Sequence, residues 1–235
     1  MLRKLDHRNM GKSNLGWLNS IFHFSFAEYF NIDNMNFGVL RVINDDLISA
    51  GTGFDFHPHK DMEIVSYVIN GALTHADTMG HKNTIYRGEV QYMSAGTGVY
   101  HSEHNLGDET ARLLQIWVVP DRKDYKPAYG DYRFQWEDRK NKWLNIVSSK
   151  EGYAPIKINQ DANFYVVELD EGKEIDFQVA SNRQAYLVQI EGNSIINDVE
   201  LDERDALEII EENIKIKSNK KSHILVIEMK KQLKW

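Results

Sequence analysis

The stretch GTGFDFHPHKDMEIVSYVING, Gly51 to Gly71, has glycine at both ends and closes on the turn signal Asn70-Gly71. Within it, Glu63 to Ile69 is a short run rich in Val, Ile and Tyr, residue types that suit a pleated, half-buried strand. Working outward, runs of the same kind recur at Phe37–Ile43, Gly88–Met93, Leu113–Val119, Phe164–Leu169, Ala185–Ile190, Leu207–Ile210 and His223–Met229. Glu191-Gly192 is another turn signal, and no long helical pattern intervenes. Many short strands at nearly regular spacing imply an antiparallel sandwich or barrel, so the chain reads as all-β.

Composition narrows the function classes. At ~150 residues per domain, 235 residues make one large or two small domains. The formal charge of −7 and pI near 5.7 argue against direct nucleic-acid binding, which leans on clustered Lys and Arg. The late lysines, Lys215 to Lys221 and Lys230, Lys231 and Lys234, read as a solvated face. The absence of cysteine excludes disulfides, thiolate metal sites and a catalytic thiol. No apolar run approaches the ~20 residues of a membrane helix, and Met1 to Leu18 lacks a signal-peptide core. The expected compartment is the cytoplasm.

Texture changes between Pro120 and Pro155, where aromatics stand among many charges. This implies a first domain over residues 1–125, a connector over 126–149 with a short helical turn around Asp138 to Val147, and a second domain over 150–235. The halves share a pattern: Gly172 to Gly192 repeats the twenty-residue glycine spacing, and Asp176-Phe177 falls opposite Asp55-Phe56. On that register Gln178 faces His57 and Ala180 faces His59. The second half thus copies the strand layout without the polar cluster.

That cluster carries the chemistry. His57-Pro58-His59 lies on a strand-like segment, where residues two apart share a face, so both imidazoles reach one point. His101-Ser102-Glu103 repeats the arrangement with a carboxylate. A single His-x-His among nine histidines would be an ordinary surface or core feature as readily as a ligand pair. Two doublets in strand-rich sequence are less easily dismissed. Three imidazoles and a carboxylate suit a divalent transition metal and leave about two positions of a six-coordinate ion open.

The same residues resemble the cupin motifs. Gly51-x5-His57-x-His59-x3-Glu63 matches the first, and Gly88, Gly96, Gly98, His101 and Asn105 match the second loosely, with Ser94 where proline is expected. FHFSFAEYF (22–30), FGVLRVINDD (37–46), HPHKDMEIVSYVINGALTHADTMGH (57–81), VQYMSAGTGVYHSEHN (90–105) and PIKINQDANFYVVELDEG (155–172) closely resemble the pirin family, in its shorter bacterial type. The resemblance implies a bicupin of two antiparallel β-barrel, jelly-roll domains, the second without metal ligands. It also implies one metal held by His57, His59, His101 and Glu103, usually Fe(II), with Zn, Ni, Mn, Co or Cu as alternatives. Some members resemble quercetin 2,3-dioxygenases and cleave flavonols with dioxygen. Others are interaction partners of transcription regulators.

The expected activity is ring-opening oxygenation of a small aromatic, flavonol-like substrate with O2, in which Glu103 is also a candidate general base. The competing expectation is a metal-loaded module that reports redox state or a small molecule to a protein partner. Around the cluster, Glu63 reads either as an acceptor orienting a ligand imidazole or as an exposed strand carboxylate. His23 reads as a cavity-mouth or packing residue. Phe54, Phe56, Met93, Tyr100 and Trp117 are candidate walls of an apolar pocket or barrel filling. His75, His81 and His104 read as surface or rim residues. Gly96 and Gly98 provide positive φ or close backbone approach before the ligand strand.

Overall fold

In the computed structural model, residues 1–232 are described, and Lys234 lies outside them. The strands are β1 (Leu2–Leu5), β2 (Gly11–Asn14), β3 (Leu18–Phe22), β4 (Leu40–Ile48), β5 (Thr52–His59), β6 (Glu63–Asn70), β7 (Ala72–Asp77), β8 (Lys82–Tyr86), β9 (Val90–Ser94) and β10 (Val99–Asn105). They continue with β11 (Ala111–Val118), β12 (Ala128–Tyr132), β13 (Leu144–Ser149), β14 (Ile156–Ile158), β15 (Ala162–Leu169), β16 (Glu174–Phe177), β17 (Arg183–Ile196), β18 (Val199–Leu201), β19 (Ala206–Ile210) and β20 (Ile214–Lys230). Short 3-10 turns at His7–Asn9 and Trp136–Arg139 are the helical elements among the described residues. No helix there is long and apolar enough to cross a membrane.

The chain divides into two compact units. One comprises Gly11–Phe134 with Ile158–Gln160; the other comprises Met1–Met10, Gln135–Lys157 and the chain from Asp161 onward. The first ten residues, expected with the first barrel, fall in the second unit because β1 pairs with β19, from Leu2 opposite Ile209 to Leu5 opposite Ala206. The expected connector is largely strand. β12 pairs with β9 and β13 with β15. The anticipated helical turn is the 3-10 turn at Trp136–Arg139, beyond which buried Ile146 and Val147 draw Leu144–Ser149 into the sheet.

In the first unit a seven-stranded sheet has the order β12-β9-β6-β11-β4-β3-β2, and a four-stranded sheet the order β5-β10-β7-β8. Antiparallel pairing sets side chains in rows across the larger sheet. Phe22, Asn44, Gln115, Ser66 and Gln91 form one row, with Ser20 opposite Asp46 in the next. On the other side lies the row Trp117, Ile64, Met93 and Tyr129. Leu18, Ile48, Val68, Leu73, Ile85 and Leu113 fill one part of the interior.

In the second unit nine strands form one sheet, with β20 pairing β15, β16 and β17 along its seventeen residues. Fourteen buried hydrophobic residues, among them Val167, Phe177, Leu187 and Ile224, pack its core. The repeated glycine spacing has a backbone basis: Gly51, Gly71, Gly172 and Gly192 have φ of 69°, 69°, 75° and 82°. All four occupy the left-handed region that favours glycine.

Candidate metal centre

The two histidine doublets converge. Centroids of the His57, His59 and His101 rings stand 4.8, 4.5 and 4.9 Å apart, a nearly equilateral triangle. A nitrogen from each lies within 4.8 Å of the others. The arrangement follows from pairing β5 with β10, which sets His57 directly opposite His101. Between His101 and Glu103 the register shifts: two steps on β10 span three on β5, from His57 to Phe54. This bulge turns Phe54 and His57, three residues apart, towards the same interior.

Glu103 joins through His101. One of its oxygens and a nitrogen each of His101 and His75 lie within 4.8 Å of one another. Ser66 Oγ and Gln91 Nε2 donate to its Oε1 at 2.9 Å each, and Gln115 Nε2 donates to Oε2 at 2.5 Å. All three donors belong to one cross-strand row of the larger sheet, so the sheet register holds the carboxylate in place.

The donor set fits a divalent metal. His101 Nε2 is buried with no hydrogen-bond partner, an expensive condition for a ring nitrogen unless something ligates it. His57 Nδ1 donates to the Asp55 carbonyl at 2.8 Å, which leaves its Nε2 lone pair bare. Burial, with the other histidines nearby, pushes the His59 pKa down to about 4 and that of His101 to about 3. Both rings are thus neutral, the state that binds metal.

Behind His101 stands a residue assigned from sequence to the surface or rim. His75 is fully buried, with its Nδ1 3.5 Å from His101 Nδ1 and its Nε2 3.0 Å from Asp77 Oδ2. Asp77 accepts a hydrogen bond from His75 Nε2–H, so His75 Nδ1 faces His101 as an acceptor and leaves the proton on His101 Nδ1. Tyr129 stacks on both His75 and His81, at 4.6 and 4.8 Å. β7 buries its alternate residues beside β10, and that pairing was not visible in the local sequence. His104 faces away, towards Asp55.

A cavity of about 310 Å³ lies between the two sheets of this unit. His57, His59, His101 and Glu103 line it together with Phe54 and Trp117. Trp117 meets His59 edge-on at 4.8 Å. The other anticipated wall residues lie elsewhere. Phe56 is 56% exposed and Tyr100 52% exposed because each has the opposite parity to its inward-facing neighbour, His57 and His101 respectively. Met93 is buried one row position beyond Ile64 and Trp117, which stand between it and the cavity. His23 is fully buried and outside the lining, its pKa pushed down to about 4 by burial.

Glu63 touches no imidazole. Its carboxylate points to the other side of β6 and accepts from Tyr92 Oη (2.5 Å), Ser94 Oγ (2.6 Å) and the Asn159 backbone (2.9 Å). Sequence reading missed Leu18, Ser20, Asn44, Asp46 and Gln115 as cavity residues. Their alternation along β3, β4 and β11 was the available signal. Gly96 (φ 45°) is required by packing, since a Cβ there would sit 1.9 Å from the Tyr125 carbonyl oxygen. A third cluster, Asp6, His7 and Asp205, lies in the second unit. Asp205 there already accepts from His7 and Asp202 and pairs with Lys4, which ties down the chain start.

Comparison with known proteins places these features in a family. The Pirin family model matches residues 4–118, and a model described as the quercetinase C-terminal cupin domain matches residues 145–229. The quercetin 2,3-dioxygenase of Escherichia coli K12 is 40% identical over 230 residues, covering 97% of each chain. A pirin-like protein of Caulobacter vibrioides is 40% identical over 215 residues, covering 91% of this chain and 93% of its own. The crystal structure of the bacterial pirin YhhW from E. coli in complex with nickel(II) superimposes with a TM-score of 0.91 at 37% identity, over 99% of this chain and 100% of that one. The two units are the two cupin domains of a bicupin, and the chain belongs to the pirin family.

Proposed function

We propose that this protein is a metal-dependent dioxygenase that opens the ring of a flavonol-like substrate with O2. His57, His59, His101 and Glu103 are the residues that hold the metal, and Fe(II) is the ion proposed. The observation that carries the reading is the triangle of three imidazoles facing a mostly apolar cavity. A cavity of about 310 Å³ is of small-molecule size. The name and near-complete coverage of the E. coli relative support the same assignment.

A bound divalent metal supplies Lewis acidity, which lowers the pKa of a coordinated hydroxyl, and open positions for further ligands. The protein supplies the rest. Phe22, Phe26, Phe54 and Trp117 hold an aromatic plane and exclude water from the reacting edge. His75 and Asp77 orient His101, and Gln91, Ser66 and Gln115 orient Glu103. Glu103 accepts the enol proton of the substrate.

The test is aerobic incubation of iron-loaded protein with quercetin, followed by loss of the flavonol absorbance, beside elemental analysis of protein purified without added metal. One metal per chain and progressive quercetin loss are expected. Failure with iron, nickel, manganese, cobalt, copper and zinc in turn refutes the enzyme reading in favour of a metal-loaded interaction module. Glu103→Gln with full metal and unchanged turnover removes the proton-acceptor role.

A further inference from the structure

Three polar side chains in the cavity are left over by the chemistry above. Ser20, Asn44 and Asp46 line it with exposures of 4%, 4% and 3%. They sit on neighbouring strands: Ser20 is directly opposite Asp46, and Asn44, two residues before Asp46, shares its face. Burying polar groups in an apolar wall is costly unless they find partners. Gln115 Nε2, Ser66 Oγ and Gln91 Nε2 meet this condition by donating to Glu103, while the unpaired Gln91 Oε1 belongs to a residue outside the cavity lining.

Asn44 continues that same row, directly opposite Gln115, yet its Oδ1 is buried without a hydrogen-bond partner. Asp46 is half satisfied. Ser20 Oγ donates to its Oδ1 at 2.5 Å, and among the described residues Oδ2 has no donor. Leu18 and Phe22 of the same sheet and Phe54 of the facing one line the cavity with them. A barrel selected only for packing would carry Val or Leu at such positions. An amide oxygen left without a donor and an acid that the protein pairs at one oxygen are the polar groups a pocket keeps for its ligand.

We propose that Ser20, Asn44 and Asp46 form a hydrogen-bonding subsite that recognises hydroxyl groups on the aromatic substrate other than the one directed at the histidine triangle. The inference rests on the proposed flavonol-type reading and deepens it, because it selects polyhydroxylated aromatics over their bare-ring analogues. The chemistry is matched: a phenolic hydroxyl donates to Asn44 Oδ1 or Asp46 Oδ2 and accepts from the Asn44 amide. Burial also lifts the Asp46 pKa to about 7, so near neutral pH the acid is available as a donor as well as an acceptor. A site built to bond a hydroxyl rejects the analogue lacking it far more strongly than an apolar pocket rejects a change in size.

The test measures binding, not turnover. Metal-loaded protein with oxygen excluded is titrated with quercetin and with 3-hydroxyflavone, which lacks the additional hydroxyls, and the flavonol absorbance shift is followed. Quercetin should bind the unaltered protein at least about tenfold more tightly, the discrimination one or two good hydrogen bonds provide. Asn44→Leu should bring quercetin down to the level of 3-hydroxyflavone and leave the latter unchanged. Asp46→Ala should do the same, which keeps the test open if either variant folds poorly by thermal melting. Equal affinity of the unaltered protein for both probes, no binding of either, or equal weakening of both probes in the variants overturns the subsite. The two readings separate cleanly. The expected binding pattern without quercetin loss in air refutes the dioxygenase and keeps the subsite. Quercetin loss without discrimination does the reverse.

Discussion

His23 offers a quantitative test of how the first barrel is held together. Its side chain is fully buried, and burial pushes its pKa from the ordinary 6.5 to about 4. Between those values the unfolded chain binds a proton that the folded protein refuses. The unfolded state therefore gains as pH falls through the window, and stability drops. One pKa unit corresponds to about 1.4 kcal/mol, so lowering the pH from 7 to 4.5 removes about 2.5 kcal/mol through His23 alone. In metal-free protein His59 and His101 act in the same direction, since their pKa values are also lowered. Asp46 opposes them: its raised value makes its contribution fall as pH rises between 3.8 and about 7. Comparing the unaltered protein with His23→Leu cancels those shared terms. Urea unfolding of both metal-free proteins at pH 7 and pH 4.5 gives four free energies. The unaltered protein should lose about 2.5 kcal/mol more than the variant. Equal losses would show that His23 is not held neutral and would refute the argument.

Three other perturbations probe different links. His101→Ala should abolish stoichiometric metal, read by elemental analysis, because it removes a ring from the triangle; full occupancy would show that His101 is no ligand. Gln115→Leu deletes the donor to Glu103 Oε2 and should weaken metal affinity about 10- to 100-fold in a chelator competition. Unchanged affinity would mean that the polar row does not support the carboxylate. Arg112 donates two parallel bonds to buried Asp45, at 2.9 and 2.7 Å. Arg112→Met should therefore cost about 3–5 kcal/mol, and adding Asp45→Leu should recover most of it, as judged by denaturant unfolding.

Much of the site was legible because the strand period is local. His57 with His59, and His101 with Glu103, share faces by spacing alone, and the absence of cysteine left imidazole and carboxylate as the available donors. The same rule correctly places Tyr100 outside when applied to His101, although its aromatic character invited a pocket role. Applied to His57 it likewise places Phe56 outside, but it fails at Phe54, where one extra residue in β5 reverses the face. Nothing in the residues near Phe54 announces that bulge, because it exists only relative to β10, more than forty positions away.

Sequence by itself determined that the chain is strand-built and that two polar doublets mark its first half, since both follow from side-chain type and a repeat of two. Tertiary structure decided which strands became neighbours. It brought Asp77 and His75 up behind His101, aligned Gln91, Ser66 and Gln115 on Glu103, left Asn44 and Asp46 facing the cavity, and joined β1 to β19 rather than to the barrel that follows it. The division has a physical cause. Alternation is a property of each segment, whereas cross-strand register is set by contacts between segments far apart in the chain, and a shift of one residue moves every side chain to the opposite face.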